Sequence, residues 1–172
     1  MIIRHASKDD CAAIAEIYNH AVVHTAAIWN DKTVDTDNRI AWYEARQIAG
    51  YPVLVSEENG VINGYASFGD WRAFDGFRHT VEHSVYVHPE HQGKGLGRSL
   101  LVALIAEAKR LNKHVMVAGI EAQNEASLHL HHTLGFITTG QMPQVGTKFG
   151  RWLDLTFMQL QLDDRRDPDG GA

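Results

Sequence analysis

The sequence predicts an α/β fold in which one sheet is flanked by helices, and three observations carry the prediction. Short β-rich runs alternate with stretches whose apolar residues recur at helical spacing. The elements read in the order β-α-α-β-β-β-α-β-α-β-β. A glycine-rich turn, Gln92-Gly93-Lys94-Gly95-Leu96-Gly97, joins a strand directly to a helix.

Ile2-Ile3-Arg4 reads as a first strand. Ser7 suits a helix N-cap, with Asp9 and Asp10 in the first turn, where a negative charge meets the positive end of the dipole. Ile14, Ile17, Tyr18, Ala21 and Val22 share one face, so residues 8–22 form an amphipathic helix. Residues 23–34 are a loop holding Trp29. A second helix covers 36–49 and is stopped by Gly50 and Pro52. Strands follow at 52–57, 60–70 and 80–87, the first two joined by a Glu58-Asn59-Gly60 turn. Leu100, Leu104, Ala108 and Leu111 mark a helix from about Leu96 to Leu111. A strand at 114–120 leads to a helix at 124–133, which ends at Leu134-Gly135-Phe136. Residues 136–140 and 152–161 complete the sheet, with residues 141–151 read as a loop between them. Residues 1–162 make one domain, and the charged tail, 163–172, reads as frayed.

Composition narrows the function classes. A chain of 172 residues with 44% hydrophobic content supports one domain with a sizeable core. A net charge of −5 and the lack of a basic stripe argue against nucleic acid as the main partner. Cys11 is the sole cysteine, so no internal disulfide can form and a reducing compartment fits. The first residues read as a strand rather than a signal peptide, and no apolar run would span a membrane. The expectation is a cytoplasmic protein.

The glycine turn carries the chemistry. Glycines at alternate positions clear side chains from the backbone where a helix begins. Free N–H groups and the helix dipole then favour a phosphate or pyrophosphate. The run lacks the Gly-x-x-x-x-Gly-Lys-Ser/Thr of a P-loop. Nor does it fit a dinucleotide fingerprint, because Arg98 or Leu100 stands where the third glycine is needed. What remains is Gln-x-x-Gly-x-Gly between strand and helix. It resembles the acyl-CoA pyrophosphate loop of the GNAT N-acetyltransferases. Three further segments are similar to one branch of that superfamily, the phosphinothricin and methionine sulfoximine acetyltransferases. They are Thr80-Val81-Glu82-His83-Ser84-Val85-Tyr86-Val87, Ser127-Leu128-His129-Leu130-His131 with Leu134-Gly135-Phe136, and the late run from Val145 to Asp154.

The resemblance implies a GNAT fold over nearly the whole chain: a mixed, mostly antiparallel sheet, splayed in the middle. It implies transfer of an acetyl group from acetyl-CoA to the α-amine of a small amino acid such as methionine sulfoximine, methionine sulfone or phosphinothricin, in a detoxification role. It also implies a homodimer whose late loop reaches the partner. Cofactor binding falls to the main chain of Val85, Tyr86 and Val87, to Gly93, Lys94, Gly95, Leu96, Gly97 and Arg98, and to Asn124 and Ser127. Substrate contacts fall to Trp29, Arg72, Ala73, Phe74, Glu82, His83, Ser84 and Lys148.

The residues themselves support part of this. A free α-amine is mostly protonated at neutral pH, so it must lose a proton before attack, and a nearby carboxylate can take it, directly or through ordered water. Glu82 suits that role, a lone acid among Val81, Val85 and Val87, although Glu82, Ser84 and Tyr86 also read as one solvent-facing side of a strand. His131 stands where many GNAT proteins have the tyrosine that protonates the leaving thiolate, and a structural histidine is an equal reading. Asn124 fits an N-cap as well as a ligand contact. Arg72 can pair with an α-carboxylate, Trp29 and Phe74 can wall a site or simply pack, and Lys148 adds charge. His129, His131 and His132 lack the pattern of a zinc site, so no metal is expected. Two other functions remain open: an acetyltransferase for polyamines or protein N-termini, and a non-catalytic acyl-CoA-binding module.

Overall fold

The computed structural model describes residues 1–169. The elements follow the expected order: β1 (Ile2–His5), α1 (Cys11–His24), α2 (Thr36–Ile48), β2 (Val53–Glu58), β3 (Val61–Asp70), β4 (Thr80–Val87), α3 (Leu96–Arg110), β5 (Val115–Glu121), α4 (Glu125–Thr133), β6 (Ile137–Lys148) and β7 (Arg151–Gln161). The strands form one seven-stranded sheet in the order β1-β2-β3-β4-β5-β7-β6. Every neighbouring pair is antiparallel except β4 and β5.

That one parallel pair is short. It runs only from Thr80↔Val115 to Glu82↔Val117. Beyond Glu82, β4 continues on β3 as far as Gly64↔Val87, and β5 continues on β7 as far as Glu121↔Leu155. The sheet therefore splits into two halves, and Glu82 sits where they part.

Alternation along each strand builds a core on either face. On one face Phe68, Val81, Met116, Phe136 and Met158 pack on Leu100, Leu101 and Leu104 of α3. On the other, Val53, Val55 and Tyr65 pack on Ile14 and Ile17 of α1 and on Trp42 and Tyr43 of α2. Each such side chain gains about 1.5–3 kcal/mol on leaving water. No residue of α2 is fully buried, and its start is fixed by Asp35, whose carboxylate accepts the Asn38 N–H at 2.8 Å.

Two boundaries differ from the sequence reading. A 3₁₀ turn, Lys8–Asp10, precedes α1. Asp10 is buried and tied up by its surroundings, accepting Arg4 Nη1 and Nη2 at 2.7 and 2.9 Å and the Ser7 N–H at 2.7 Å. The second difference is larger. The strand read at 136–140 extends to Lys148, so residues read as a loop form a long hairpin with β7. Gly140, Pro143 and Gly146 hide this strand in the sequence. The structure tolerates Pro143 because β6 is the sheet's edge, and it absorbs the irregular residues in register shifts at 138/140 and 142/146. The tail read as frayed begins with tied residues: Asp163 Oδ1 lies 2.6 Å from His114 Nδ1, and Arg165 Nη2 donates to the Asn112 carbonyl at 2.8 Å. Its end, Gly170–Ala172, lies outside the described residues.

Candidate active site

The split in the sheet opens a cleft of about 720 Å³. One wall is the edge of β4 from His83 to Val87, and the other is Gly119, Ile120 and Glu121 of β5. The glycine turn, the start of α3 and the inner side of α4 close one end. Ile17, His20 and Ala21 of α1, with Thr25, Ala26 and Ala27 behind them, close the other.

Past Glu82 the β4 backbone has no β5 partner, so Val85, Tyr86 and Val87 present a bare strand edge to the cleft. An extended amide-bearing arm can pair there as an added strand. Gly93 and Gly95 have φ of +74° and +79°, the region that favours glycine, and a Cβ on either would meet nothing within 4 Å. No side chain caps α3 at Gly95, so the first N–H groups of the helix are free for an anion. These features fit a pantetheine-diphosphate chain.

The predicted cofactor residues divide. Gly93, Gly95, Leu96, Gly97, Arg98, Asn124 and Ser127 line the cleft. Lys94 does not; its Nζ donates to the Glu90 carbonyl at 3.2 Å. Asn124 caps α4 by accepting the Ser127 N–H at 3.1 Å, which leaves its amide N–H groups for a ligand. Sequence reasoning missed His20, Thr25, Ala26, Ala27, His91, Gly119, Glu121 and Leu130, all in the lining. Apart from Leu130, which lies in a segment quoted above, nothing in their local sequence marks them, since they meet only across the split.

Glu82 lies on the face shared with α1 and α2, as its cross-strand partner Gly69 does. Its carboxylate points over β5, where a Cβ on Gly119 would come within 3.2 Å of Oε1. Burial pushes the Glu82 carboxyl above the usual carboxylate range, and the positive charge of Arg72 partly opposes this. A raised carboxyl at the mouth of the split is suited to take a proton from an amine.

His83 points to the opposite face and meets His131, the two Nε2 atoms 2.9 Å apart. His131 Nδ1 lies 2.7 Å from the Ser127 carbonyl, so it must be the protonated nitrogen of that ring. His131 Nε2 then accepts from His83 Nε2–H, and the buried His83 Nδ1 is left without a partner. Burial holds both imidazoles below their usual range and therefore neutral. Both nitrogens of His131 are thus engaged within the fold, with no spare N–H for a leaving thiolate; the geometry favours the structural reading of this residue.

The expected substrate residues are more scattered. Ser84 and His83 line the cleft. Arg72, Ala73 and Phe74 are exposed just past β3, with the Arg72 guanidinium 5.1 Å above the Trp71 ring. Trp29 packs over Gly146, where any Cβ would overlap its ring, and its Nε1 donates to the Ala26 carbonyl at 2.9 Å. Lys148 is buried, and its Nζ donates to the carbonyls of Thr25 and Ile28. It therefore pins the loop that roofs the cleft and offers no free charge to a ligand. Among the described residues, the His/Cys/Asp/Glu group that converges enough to hold a metal is His88, Glu90 and His91, and not His129, His131 and His132.

Residues 13–136 match the model of the acetyltransferase (GNAT) family. The chain belongs to that family. It is 80% identical over 169 residues, 98% of each chain, to an L-amino acid N-acyltransferase, MnaT, of Escherichia coli K12. It is 79% identical to an L-methionine sulfoximine/L-methionine sulfone acetyltransferase of Salmonella typhimurium, covering 98% of this chain and 99% of that one. The yncA acetyltransferase of Salmonella typhimurium, solved with its cofactor acetyl-CoA, superposes with a TM-score of 0.96 at 78% identity, over 99% of this chain and 98% of that one. This GNAT protein is an acetyltransferase that uses acetyl-CoA as co-substrate. No helix among the described residues is long and apolar enough to cross a membrane.

Proposed function

We propose that this chain acetylates the α-amine of small L-amino acids with polar, methionine-like side chains, chiefly methionine sulfone and methionine sulfoximine, with phosphinothricin as a further substrate. The observation that carries this reading is the position of Glu82, a carboxyl of raised affinity for protons at the point where β4 and β5 part. Acetyl-CoA lies along the free edge of β4 with its pyrophosphate on the glycine turn. The substrate ammonium gives a proton to Glu82, directly or through water. The free amine attacks the thioester carbon, the C–S bond breaks, and the proton released from the nitrogen passes to the departing CoA sulfur, directly or through water. Arg72 holds the α-carboxylate. The relatives' printed activities support the substrate class.

The protein acts in the cytoplasm as a homodimer, in detoxification of such amino acid analogues. Met142, Val145, Phe149 and Trp152 are all exposed on the β6–β7 hairpin, an apolar stretch suited to a partner subunit. Thiol release from acetyl-CoA, measured against amino acids, amino acid amides, spermidine and N-terminal peptides, tests the substrate reading. Fast turnover of methionine sulfone with slow turnover of its amide supports it. Equal turnover of the amide, spermidine or a peptide would overturn it.

A further inference from the structure

Arg46 lies on the Glu82 side of the sheet and is used by nothing in the mechanism above. It projects from α2 onto β3 and covers Gly69, the residue that pairs with Glu82 across the strands. A Cβ on Gly69 would overlap the Arg46 guanidinium, so glycine there is what lets the cation lie flat on the sheet. Trp42 flanks it, its ring 5.8 Å from Cζ. Among the described residues Arg46 makes no hydrogen bond or ion pair through its side chain, and its Nε is buried without a partner. A guanidinium carries five N–H donors and is costly to leave half-buried and unpaired. Burial accordingly weakens its hold on its proton.

We propose that Arg46 recognises the side-chain oxygens of the amino acid substrate, the tetrahedral oxygens of a sulfone, sulfoximine or phosphinate. The inference rests on the amino acid reading given above and assigns a subsite within it. Of the arginines near this face, Arg39 stacks on Tyr18 and Trp42 and donates to Asn38, which leaves Arg46 and Arg72 for a ligand. The Arg72 charge acts on Glu82. Arg46 instead feels Tyr51 and Asp70, the last residue of β3. The α-carboxylate shares its carbon with the reacting amine, so it belongs with the cation whose charge acts on Glu82. A side-chain oxygen several bonds away belongs with the other. The fork of a guanidinium matches paired oxygens on sulfur or phosphorus better than an ammonium does.

Steady-state kinetics of wild type, Arg46→Met and Arg46→Lys test this with two ligands: L-methionine sulfone, and L-norleucine, which has a chain of the same length but no oxygens. Norleucine is read as a substrate or, if turnover is slow, by its inhibition constant. Arg46→Met is expected to raise the KM for the sulfone about 10- to 100-fold, the range of a lost charge-assisted contact. The norleucine constant and the KM for acetyl-CoA should each change by less than about 3-fold, since neither ligand meets this group. Arg46→Lys keeps the charge but not the fork, so it gives a smaller rise confined to the sulfone, and it serves as the test if Arg46→Met does not fold. An equal loss on sulfone and norleucine, or no loss on either, would overturn the assignment while leaving wild-type acetylation of the sulfone intact. A wild type that acetylates no amino acid would instead remove the functional reading on which the subsite rests.

Discussion

At the scale of single residues, environment decides which acid and base groups can act. Glu82 is the same carboxyl as any other on the surface, but desolvation at the mouth of the split raises its pKa. Glu82→Gln is expected to lower kcat by about 10²-fold or more, with little change in acetyl-CoA affinity, in stopped-assay kinetics and calorimetry. In the wild type, kcat/KM should fall as the pH drops through the raised Glu82 pKa, because the protonated acid cannot accept a second proton. The glutamine variant should lose that limb. The two neutral imidazoles make a separate prediction about stability. Their folded pKa values lie below the ordinary 6.5, so an unfolded chain takes up protons first on acidification. The stability they contribute is complete above pH 6.5 and is lost as the pH falls from there toward the folded values. For His83, whose folded value is about 3, the loss is about 1.4 kcal/mol per pH unit in that window, or about 2 kcal/mol by pH 5, and His131 adds to it in the same direction. Urea unfolding from pH 7 to 5 should show this slope, and His83→Gln should flatten it by about one proton. An unchanged slope would mean that His83 is charged in the fold.

At the scale of elements, the turn before α3 joins two requirements in one backbone. Gly95 starts the helix with φ of +79°, and its open surroundings leave the first amides free. Gly95→Val should bring backbone strain of about 1–2 kcal/mol and place a branched side chain over those amides. The variant is expected to fold, with a slightly lower melting temperature, and to bind acetyl-CoA much more weakly by calorimetry. Unchanged affinity in a folded variant would move the pyrophosphate elsewhere. The β6–β7 hairpin shows how an element invisible in the sequence can position a site. Gly146 makes room for Trp29, and Lys148 holds the Thr25 and Ile28 carbonyls. A residue 120 and 123 positions away thereby fixes the loop that roofs the cleft.

At the scale of the whole molecule, β6 is one edge of the sheet, and the β6–β7 hairpin carries Phe149 and Trp152 largely in solvent. An apolar hairpin of this kind fits an interface between two copies. Sedimentation analysis is expected to give a dimer for the wild type, and Trp152→Glu should shift it toward monomer by placing a charge in that surface. A wild-type monomer at micromolar concentration would sink the dimer reading.

The sequence by itself determined the order of the elements, because apolar period and breaker residues are local properties: Gly50 and Pro52 end α2, and Asn59-Gly60 turns β2 into β3. It also marked the glycine turn and Glu82, since three alternate glycines at a helix start and a lone acid in a valine-rich strand are unusual in any fold. What the tertiary structure decided was which groups meet. That β4 and β5 pair for three residues and then diverge is a matter of how two sheet halves pack on α3 and α4, and no residue near Glu82 announces it. The pairing of His83 with His131, the burial of Lys148 and the unpaired guanidinium of Arg46 over Gly69 arise the same way. Each joins residues far apart in the chain, and burial and partners, not residue type, set their charge and role.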